Sequence, residues 1–364
     1  MFHVKQWPEL PELQAREAEL ETALRLRREP RATATLSYAG NDYLGLADGS
    51  GAEASRLLGA KRADLDAFES ELGDWLGGEP TVVGSGYQAN MSVIGALIHP
   101  GDLVLSDAQN HASLVDAIRL TRADVVVHPH LDLEAALVAA SAARTVAPLR
   151  RIWSVTESYF SMSAESPALA EWLPALAGLN VRTLLDESHA IGVFGPEGRG
   201  LAFAGDSPLP SVATFGLGKA FAGEGGVICG GRRLRQTLVN DARPIMFSTA
   251  PSPVAMAAMR RRLAQLRKAD AARITLSAGA AFLREGLQSL GYTVLGHGHI
   301  LPVLIGSETT ALALSKRLIE RGIDAPAIRY PTVAHGAALL RLNITANHSR
   351  DQHRAFLSEM RELG

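Results

Sequence analysis

The chain has 364 residues, of which 47% are apolar, and this is long enough for one large domain with a sizeable core and a smaller second domain. Its 36 Lys and Arg nearly balance its 38 Asp and Glu, so the net charge of -2 gives no electrostatic reason to expect nucleic acid or a membrane surface as a partner. The single cysteine, Cys229, excludes an intramolecular disulfide and a multi-cysteine zinc site, and no apolar run approaches the length of a membrane span, so we expect a cytoplasmic protein.

The N-terminal stretch predicts helix. Leu13, Leu20 and Leu24 recur at helical spacing among many Glu and Arg residues, a pattern that does not fit a signal peptide. We therefore expect a helical segment over residues 1–37, a large α/β domain over residues 38–250 and a smaller domain over residues 251–364.

Short apolar runs alternate with helix-like stretches in the large domain. Runs that are apolar throughout are typical of strands covered on both faces, and therefore of a mostly parallel sheet with crossover helices. We expect a helix over Ala89–Leu97, and polar residues at strand ends should mark the ligand site, because ligands of such sheets bind beyond the carboxyl ends of the strands. The predicted strands are Thr81–Val83, Leu103–Leu105, Val125–Val127, Ile152–Val155, Thr183–Leu185, Val212–Leu217 and Val227–Cys229.

The pattern changes after Pro251. Long helices are predicted at Val254–Ala269 and Ala271–Leu290. The elements predicted after them are the strand Leu301–Leu304, the helix Thr310–Arg321, the strand Leu339–Ile344 and a closing helix. Together they predict a small α+β domain at the end of the chain.

Lys219 is the residue that first suggests a function. It stands in Gly216-Leu217-Gly218-Lys219-Ala220-Phe221, at the end of a predicted buried strand. The small residues around it leave its amine accessible to a flat ring, which suits attachment to the aldehyde of pyridoxal phosphate (PLP). A lysine in such a short motif is, taken alone, more often a solvated loop residue.

The cluster Asp186-Glu187-Ser188-His189 strengthens the PLP interpretation. Asp186 follows a predicted strand and could keep a pyridine nitrogen protonated, while His189 could hydrogen-bond the ring's 3-oxygen. The alternative for an Asp and a His three residues apart is half of a metal site. No third ligand at a plausible spacing accompanies them, so we expect no metal.

A glycine-rich turn, Gly84-Ser85-Gly86-Tyr87, precedes the predicted helix that follows the first strand. Such a turn presents backbone amides to an anion at a helix N-terminus, which suits the phosphate of the cofactor. By itself this signal is weak.

Eight motifs in sequence order give the chain a resemblance to the α-oxoamine synthase family, and they span nearly its whole length. The motifs are Asn41–Leu46, Ser85–Asn90, Asn110–Leu114, Thr156–Met162, Asp186–Gly192, Gly218–Phe221, Phe247–Ala250 and Tyr330–Val333. The resemblance implies a fold type I, PLP-dependent homodimer with shared active sites. It also implies an enzyme that condenses an amino acid with an acyl thioester and releases carbon dioxide.

The resemblance also implies roles for individual residues. Lys219 would bind the cofactor's aldehyde, and Asp186 and His189 would bind the ring nitrogen and the 3-oxygen. His111 would stack on the ring, completing the expected catalytic set. The other residues implied in cofactor binding are Ser85, Gly86, Tyr87, Glu157, Ser161, Ser248 and, from the neighbouring subunit, Thr249. Those implied in substrate binding are Arg341, Asn41 and Tyr43.

The segments 241–244 and 327–333 resemble the branch that joins alanine to a pimeloyl thioester, either of CoA or of a carrier protein. Two departures from the family pattern concern cofactor and substrate binding: a helix is missing near residues 47–54, and Gly216 stands where the family has a phosphate-binding threonine. The alternatives are another α-oxoamine synthase, a PLP aminotransferase or lyase of the same fold, and a non-catalytic partner subunit, although such a subunit would normally lack Lys219.

Overall fold

The computed structural model describes residues 5–29, 41, 43–44, 55–57 and 63–363. The shortened segment predicted at residues 47–54 lies outside the described residues. Contacts divide the chain into two units. The first contains the described residues of Met1–Ser158 and Pro167–Lys268, and the second those of Tyr159–Ser166 and Ala269–Gly364. The domain limits predicted at residues 37 and 250 stay a prediction.

The first unit contains a seven-stranded sheet in the order β1-β7-β6-β5-β4-β2-β3. The strands are β1 (Thr81–Val83), β2 (Leu103–Asp107), β3 (Asp124–His128), β4 (Ile152–Glu157), β5 (Arg182–Asp186), β6 (Val212–Gly216) and β7 (Gly226–Gly230). Strands β3, β2, β4, β5 and β6 run parallel, whereas β7 is antiparallel to both of its neighbours. The mostly parallel sheet predicted from sequence is confirmed.

Helices pack on the sheet of the first unit. They are α1 (Pro11–Thr22), α2 (Ala63–Leu76), α3 (Gly86–Leu97), α4 (Ala112–Thr121), α5 (Leu133–Val146), α6 (Leu169–Gly178), α7 (Leu234–Asp241), α8 (Arg243–Met246) and α9 (Pro253–Arg267). Leu184 and Leu185 of β5 are both fully buried but belong to different apolar clusters, because successive side chains of a strand point to opposite faces. Burying each such leucine is worth about 1.5–3 kcal/mol.

Three local predictions were wrong. The helix after β1 begins at Gly86 and not at Ala89, because Ser85 caps it by accepting a hydrogen bond from the Gln88 N–H. Strand β3 lies at the sheet edge, where Val125 and Val127 are 43% and 63% exposed, so its apolar run does not indicate cover on both faces. Leu24 is 94% exposed, because it follows the end of α1 in a left-handed conformation.

The second unit has a four-stranded antiparallel sheet in the order β10-β11-β9-β8. Its strands are β8 (Thr293–Val294), β9 (Ile300–Gly306), β10 (Ala327–Ile328) and β11 (Ala338–Asn343). Its helices are α10 (Asp270–Ser289), α11 (Glu308–Glu320) and α12 (Arg350–Leu363). These elements pack around their own apolar core, which includes Leu283, Leu318 and Met360. Among the residues that the structure describes, no helix is both long and apolar enough to cross a bilayer.

Candidate active site

A cavity of about 380 Å³ lies at the carboxyl ends of strands β4, β5 and β6, and its lining belongs wholly to the first unit. The lining residues are Gly84, Ser85, Gly86, Tyr87, Asn90, His111, Ser113, Glu157, Asp186, Ser188, His189, Gly216, Gly218, Lys219, Gly223, Glu224 and Gly225. Parallel strands bring their carboxyl ends to one edge of a sheet. Residues that are far apart in the sequence are therefore collected around one cavity.

Lys219 stands on a short loop between β6 and β7. The loop is closed by three backbone hydrogen bonds: the Leu217 N–H donates to the Gly225 carbonyl, the Gly223 N–H to the Leu217 carbonyl, and the Ala222 N–H to the Lys219 carbonyl. The lysine side chain is exposed to the cavity. The loop thus presents the amine to the cavity, where an aldehyde can reach it.

Asp186 is the last residue of β5 and is only 5% exposed. Its Oδ2 accepts a hydrogen bond of 2.8 Å from Asn90 Nδ2, and its Oδ1 accepts one of 2.9 Å from the Ser188 N–H. These two donors hold the carboxylate in one orientation. A buried carboxylate held in this way can stabilise a cationic nitrogen in the cavity.

His111 precedes α4 and lines the same cavity. Its backbone N–H donates to Glu157 Oε1 at 2.8 Å, and its ring Nδ1 lies 2.8 Å from Ser113 Oγ. Glu157 is the register partner of Asp186 on the neighbouring strand. The backbone and the ring of His111 are therefore each held by a separate hydrogen bond.

The N-terminus of α3 forms the third side of the cavity. Ser85 caps the helix, and Gly86 and Tyr87 in its first turn line the cavity. The first N–H groups of a helix have no acceptor within the helix, and the helix dipole favours an anion beside them. This end of α3 is suited to a phosphate group.

Glycines make room for a flat ring between these groups. A Cβ added to Gly86 would lie 3.0 Å from the Gly216 Cα, so Gly86 approaches this backbone more closely than a residue with a side chain could. Lys219 Nζ lies 3.8 Å from where a Cβ of Gly216 would be. The amine, the buried carboxylate and the anion site therefore surround a glycine-lined cradle, a combination that fits PLP.

Ser248 and Thr249 are not among the residues that line the cavity. Ser248 Oγ donates to the Pro244 carbonyl at 2.5 Å and accepts from Gln88 Nε2 at 2.9 Å, which attaches this segment to the first turns of α3. Thr249 is exposed and pairs with Ser55 in an isolated antiparallel bridge. An exposed Thr249 is accessible to a second subunit.

Ser161 and Arg341 both belong to the second unit. Arg341 Nε donates to the Ser161 carbonyl oxygen at 2.6 Å, so the structure joins these two predicted site residues to each other. Asn41 and Tyr43 are exposed, and neither is among the described residues that line the cavity. The roles predicted for these four residues remain predictions.

No role was predicted from the sequence for several residues that line the cavity: Asn90, Ser113, Ser188, Gly223 and Glu224. Asn90, Ser113 and Ser188 lie within the motifs Ser85–Asn90, Asn110–Leu114 and Asp186–Gly192, but the motifs alone do not show what these three side chains bind. Thr214 Oγ1 donates to Asn90 Oδ1 at 2.6 Å and is fully buried. It therefore does not replace the threonine that the family has at the position of Gly216.

We expect Glu157→Gln to flatten the pH dependence of stability of the cofactor-free protein. Burial raises the pKa of Glu157 well above its usual value, and the Asp186 carboxylate raises it further. Because the folded state then holds a proton that the unfolded state has lost, the free energy of unfolding should fall as the pH rises above the ordinary glutamate pKa.

Urea denaturation at about pH 5 and about pH 8 would measure this difference. Glutamine keeps an oxygen for the His111 N–H, so the variant should lose less stability between the two pH values than the wild type does. Glu134→Gln, at an exposed position of α5, is the matched control and should behave as the wild type. Equal losses in Glu157→Gln and the wild type would contradict the prediction.

Comparisons with known proteins identify the family of the chain. The sequence profile of the family described as aminotransferase class I and II matches residues 49–359. The 8-amino-7-oxononanoate synthase of Anaeromyxobacter sp. (strain K) is 39% identical over 345 residues, which cover 90% of this chain and 86% of the relative.

Solved structures give the same result. A structure of serine palmitoyltransferase with PLP is 26% identical and superimposes with a TM-score of 0.83, over 87% of this chain and 80% of that chain. The 8-amino-7-oxononanoate synthase of Francisella tularensis is 26% identical, with a TM-score of 0.71, over 84% of this chain and 88% of that chain. The fold is that of a fold type I PLP-dependent transferase, as predicted. The chain belongs to the aminotransferase class I and II family, in its α-oxoamine synthase branch.

Proposed function

We propose that the protein catalyses the condensation of L-alanine with a pimeloyl thioester, with loss of carbon dioxide, to give 8-amino-7-oxononanoate for biotin biosynthesis. The observation that carries the proposal is the single cavity in which Lys219, Asp186 and the N-terminus of α3 meet. The 39% identity to an 8-amino-7-oxononanoate synthase over 90% of this chain supports the choice of substrates.

The residues present would hold PLP at three points. Lys219 would bind its aldehyde, Asp186 would hold the proton of the ring nitrogen, and the first turn of α3 would bind the phosphate. His111 and His189 line the same cavity, where they would contact the ring and its 3-oxygen. Bound PLP supplies an electron sink, which allows an amino acid to lose its α-proton or its carboxylate.

The remaining chemistry belongs to the chain. The Lys219 amine would accept the α-proton of the amino acid and return a proton later. Arg341 is the residue that we propose for binding the amino acid's carboxylate. A guanidinium binds a carboxylate with two parallel hydrogen bonds, and the Ser161 carbonyl already holds Arg341 Nε.

The test is a matrix of amino acids against acyl donors, read by thiol release. We expect the highest kcat/KM with L-alanine and pimeloyl-CoA or the pimeloyl carrier protein. A preference for serine with a long-chain acyl-CoA would instead favour the chemistry of the serine palmitoyltransferases that the fold resembles. Amino-group transfer to a keto acid without thiol release would replace the proposal by an aminotransferase.

Gly216→Thr should tighten PLP binding. Threonine at this position would restore the hydroxyl that the family uses for the phosphate, and a hydrogen bond to a charged group is worth about 1.5–3 kcal/mol, or roughly tenfold or more in affinity. The backbone allows the change, since a Cβ there would meet only ordinary contacts at 3.7–3.8 Å. Equilibrium titration of the cofactor-free protein with PLP would measure it. Gly216→Val has the same shape without the hydroxyl and should not tighten binding.

We also propose a cytoplasmic homodimer with shared active sites. The exposed position of Thr249, beside a segment tied to α3, supports a role for this residue in the neighbouring subunit's phosphate site. The lone cysteine, Cys229, is buried in the core, and burial raises the pKa of its thiol, which fits a protein that does not depend on disulfides.

Subunit exchange tests the shared site. Lys219→Ala and Thr249→Ala should each be inactive or weakly active alone, and mixing them should give activity above both parents, because one site of each mixed dimer has both native residues. Mixing Lys219→Ala with itself is the control. A fully active protein that sediments as a monomer would exclude the shared site.

A further inference from the structure

Asn90, in the second turn of α3, lines the cavity next to Asp186. It is only 1% exposed. Its Nδ2 donates to Asp186 Oδ2 at 2.8 Å and to Ser113 Oγ at 2.9 Å, while its Oδ1 accepts from Thr214 Oγ1 at 2.6 Å. Both N–H groups of the side-chain amide are thus used, and both are directed at groups that line the cavity.

The amide can adopt only one orientation. If it were flipped, its oxygen would face the carboxylate of Asp186, and two acceptors would meet in a buried site. The Thr214 hydroxyl on β6 supplies a proton to the amide oxygen in the observed orientation. Strand β6 therefore holds Asn90 through Thr214, while Asn90 binds Asp186 at the end of β5.

The second hydrogen bond of Asn90 reaches His111 through Ser113. Ser113 Oγ accepts the hydrogen from Asn90, so its own proton is free to be donated to His111 Nδ1, which lies 2.8 Å away. The Ser113 backbone N–H also donates to Nδ1, at 3.2 Å. A ring nitrogen that accepts two hydrogen bonds carries no proton, so the ring of His111 carries its proton on Nε2.

We propose that Asn90 is a positioning residue of the cofactor site. With one amide it orients the Asp186 carboxylate and, through Ser113, sets the Nε2–H tautomer of His111. The two effects are complementary. A ring nitrogen protonated beside Asp186 makes the cofactor's ring cationic, and the uncharged tautomer of His111 can lie against such a ring without charge repulsion. This inference rests on the proposed PLP site.

The first experiment needs no cofactor. Nitrogen-15 NMR of the cofactor-free protein distinguishes the two neutral tautomers of a histidine, and comparison with His111→Gln identifies the signal among the 11 histidines. We expect His111 in the Nε2–H form at neutral pH. A proton on Nδ1 would overturn the proposal whether or not PLP binds.

The second experiment measures PLP affinity and the His111 signal in Asn90→Asp, which has the same shape, loses both N–H donors and puts a second carboxylate beside Asp186. We expect affinity to fall by about tenfold or more, since two hydrogen bonds to the site are lost, and His111 to lose its single tautomer. Ser113→Ala removes only the hydroxyl that links Asn90 to His111. This variant should therefore change the His111 signal and keep most of the affinity for PLP.

Asn240→Asp is the matched control. Asn240 is 5% exposed, donates from Nδ2 to two carbonyls and accepts from the Arg27 N–H, and it does not line the cavity. The Asn240→Asp variant should lose stability without losing PLP affinity.

If the wild type binds PLP and Asn90→Asp binds it equally well, the positioning role of Asn90 is wrong. If the wild type binds no PLP, the function is wrong, and the NMR result still decides the tautomer. Should Asn90→Asp not fold, the wild-type tautomer and Ser113→Ala decide the proposal.

Discussion

Replacing Lys219 by alanine is expected to abolish turnover and leave the fold intact. Proton transfer by a positioned group contributes about 10²–10⁴-fold to a rate, and Lys219 would also be lost as the attachment point of the cofactor, so we expect a fall of roughly a thousandfold or more. The side chain is exposed on its loop, and truncating it should change the free energy of unfolding by no more than about 0.5 kcal/mol.

The measurement combines thiol release, a urea melt and mass spectrometry after borohydride treatment. In the wild type the peptide that contains Lys219 should gain the mass of reduced PLP, and in Lys219→Ala no lysine should gain it. Lys268→Ala truncates another exposed lysine of the same unit and should match the wild type in all three. Labelling of a different lysine in the wild type would show that the assignment of Lys219 is wrong.

Asp186→Asn is expected to slow turnover by roughly 10²–10³-fold or more, the range found when a preorganised electrostatic partner is removed. An amide cannot stabilise a cationic ring nitrogen by charge. The structure adds a second cost, because Asp186 accepts from both Asn90 Nδ2 and the Ser188 N–H, and an amide has only one oxygen for them. Leaving one buried donor without an acceptor costs about 1–3 kcal/mol of stability.

Asp102→Asn separates the catalytic effect from the structural one. Asp102 is 4% exposed and accepts hydrogen bonds from the His99 N–H and from Arg151 Nε, each at 2.9 Å. It comes directly before β2, at the amino end of that strand, whereas the cavity lies at the carboxyl ends of the parallel strands. We expect this variant to lose stability and keep kcat. PLP affinity should fall less than kcat in Asp186→Asn. If Asp186→Asn keeps the full kcat, Asp186 does not bind the ring nitrogen.

Order along the chain was enough to predict the class of fold, and it singled out residues that the structure brings to one cavity. Continuous apolar runs predicted the strands of the parallel sheet, because a strand covered on both faces has few polar positions. The glycines around Lys219 and the polar residues at strand ends predicted a ligand site at the carboxyl ends of the strands. The motifs then predicted PLP and the α-oxoamine synthase family, which the comparisons confirm.

The edge position of β3 and the early start of α3 could not be predicted in this way. An apolar run has the same composition in a central strand and at an edge, and only the order of strands in the sheet leaves Val125 and Val127 exposed. The start of a helix depends on one capping bond, here from the Gln88 N–H to Ser85 Oγ. Such a bond is a property of local geometry.

The sequence by itself determined the chemistry of this protein, because a lysine, an aspartate and a glycine-rich helix start each carry their chemical character wherever they lie. Only the tertiary structure decided how they are held. Asn90 is 96 residues from Asp186 and 124 from Thr214, yet one amide binds both. Hydrogen bonds act over about 3 Å of space and leave no periodic trace in a sequence, so the residues that orient a site are found only once the chain is folded.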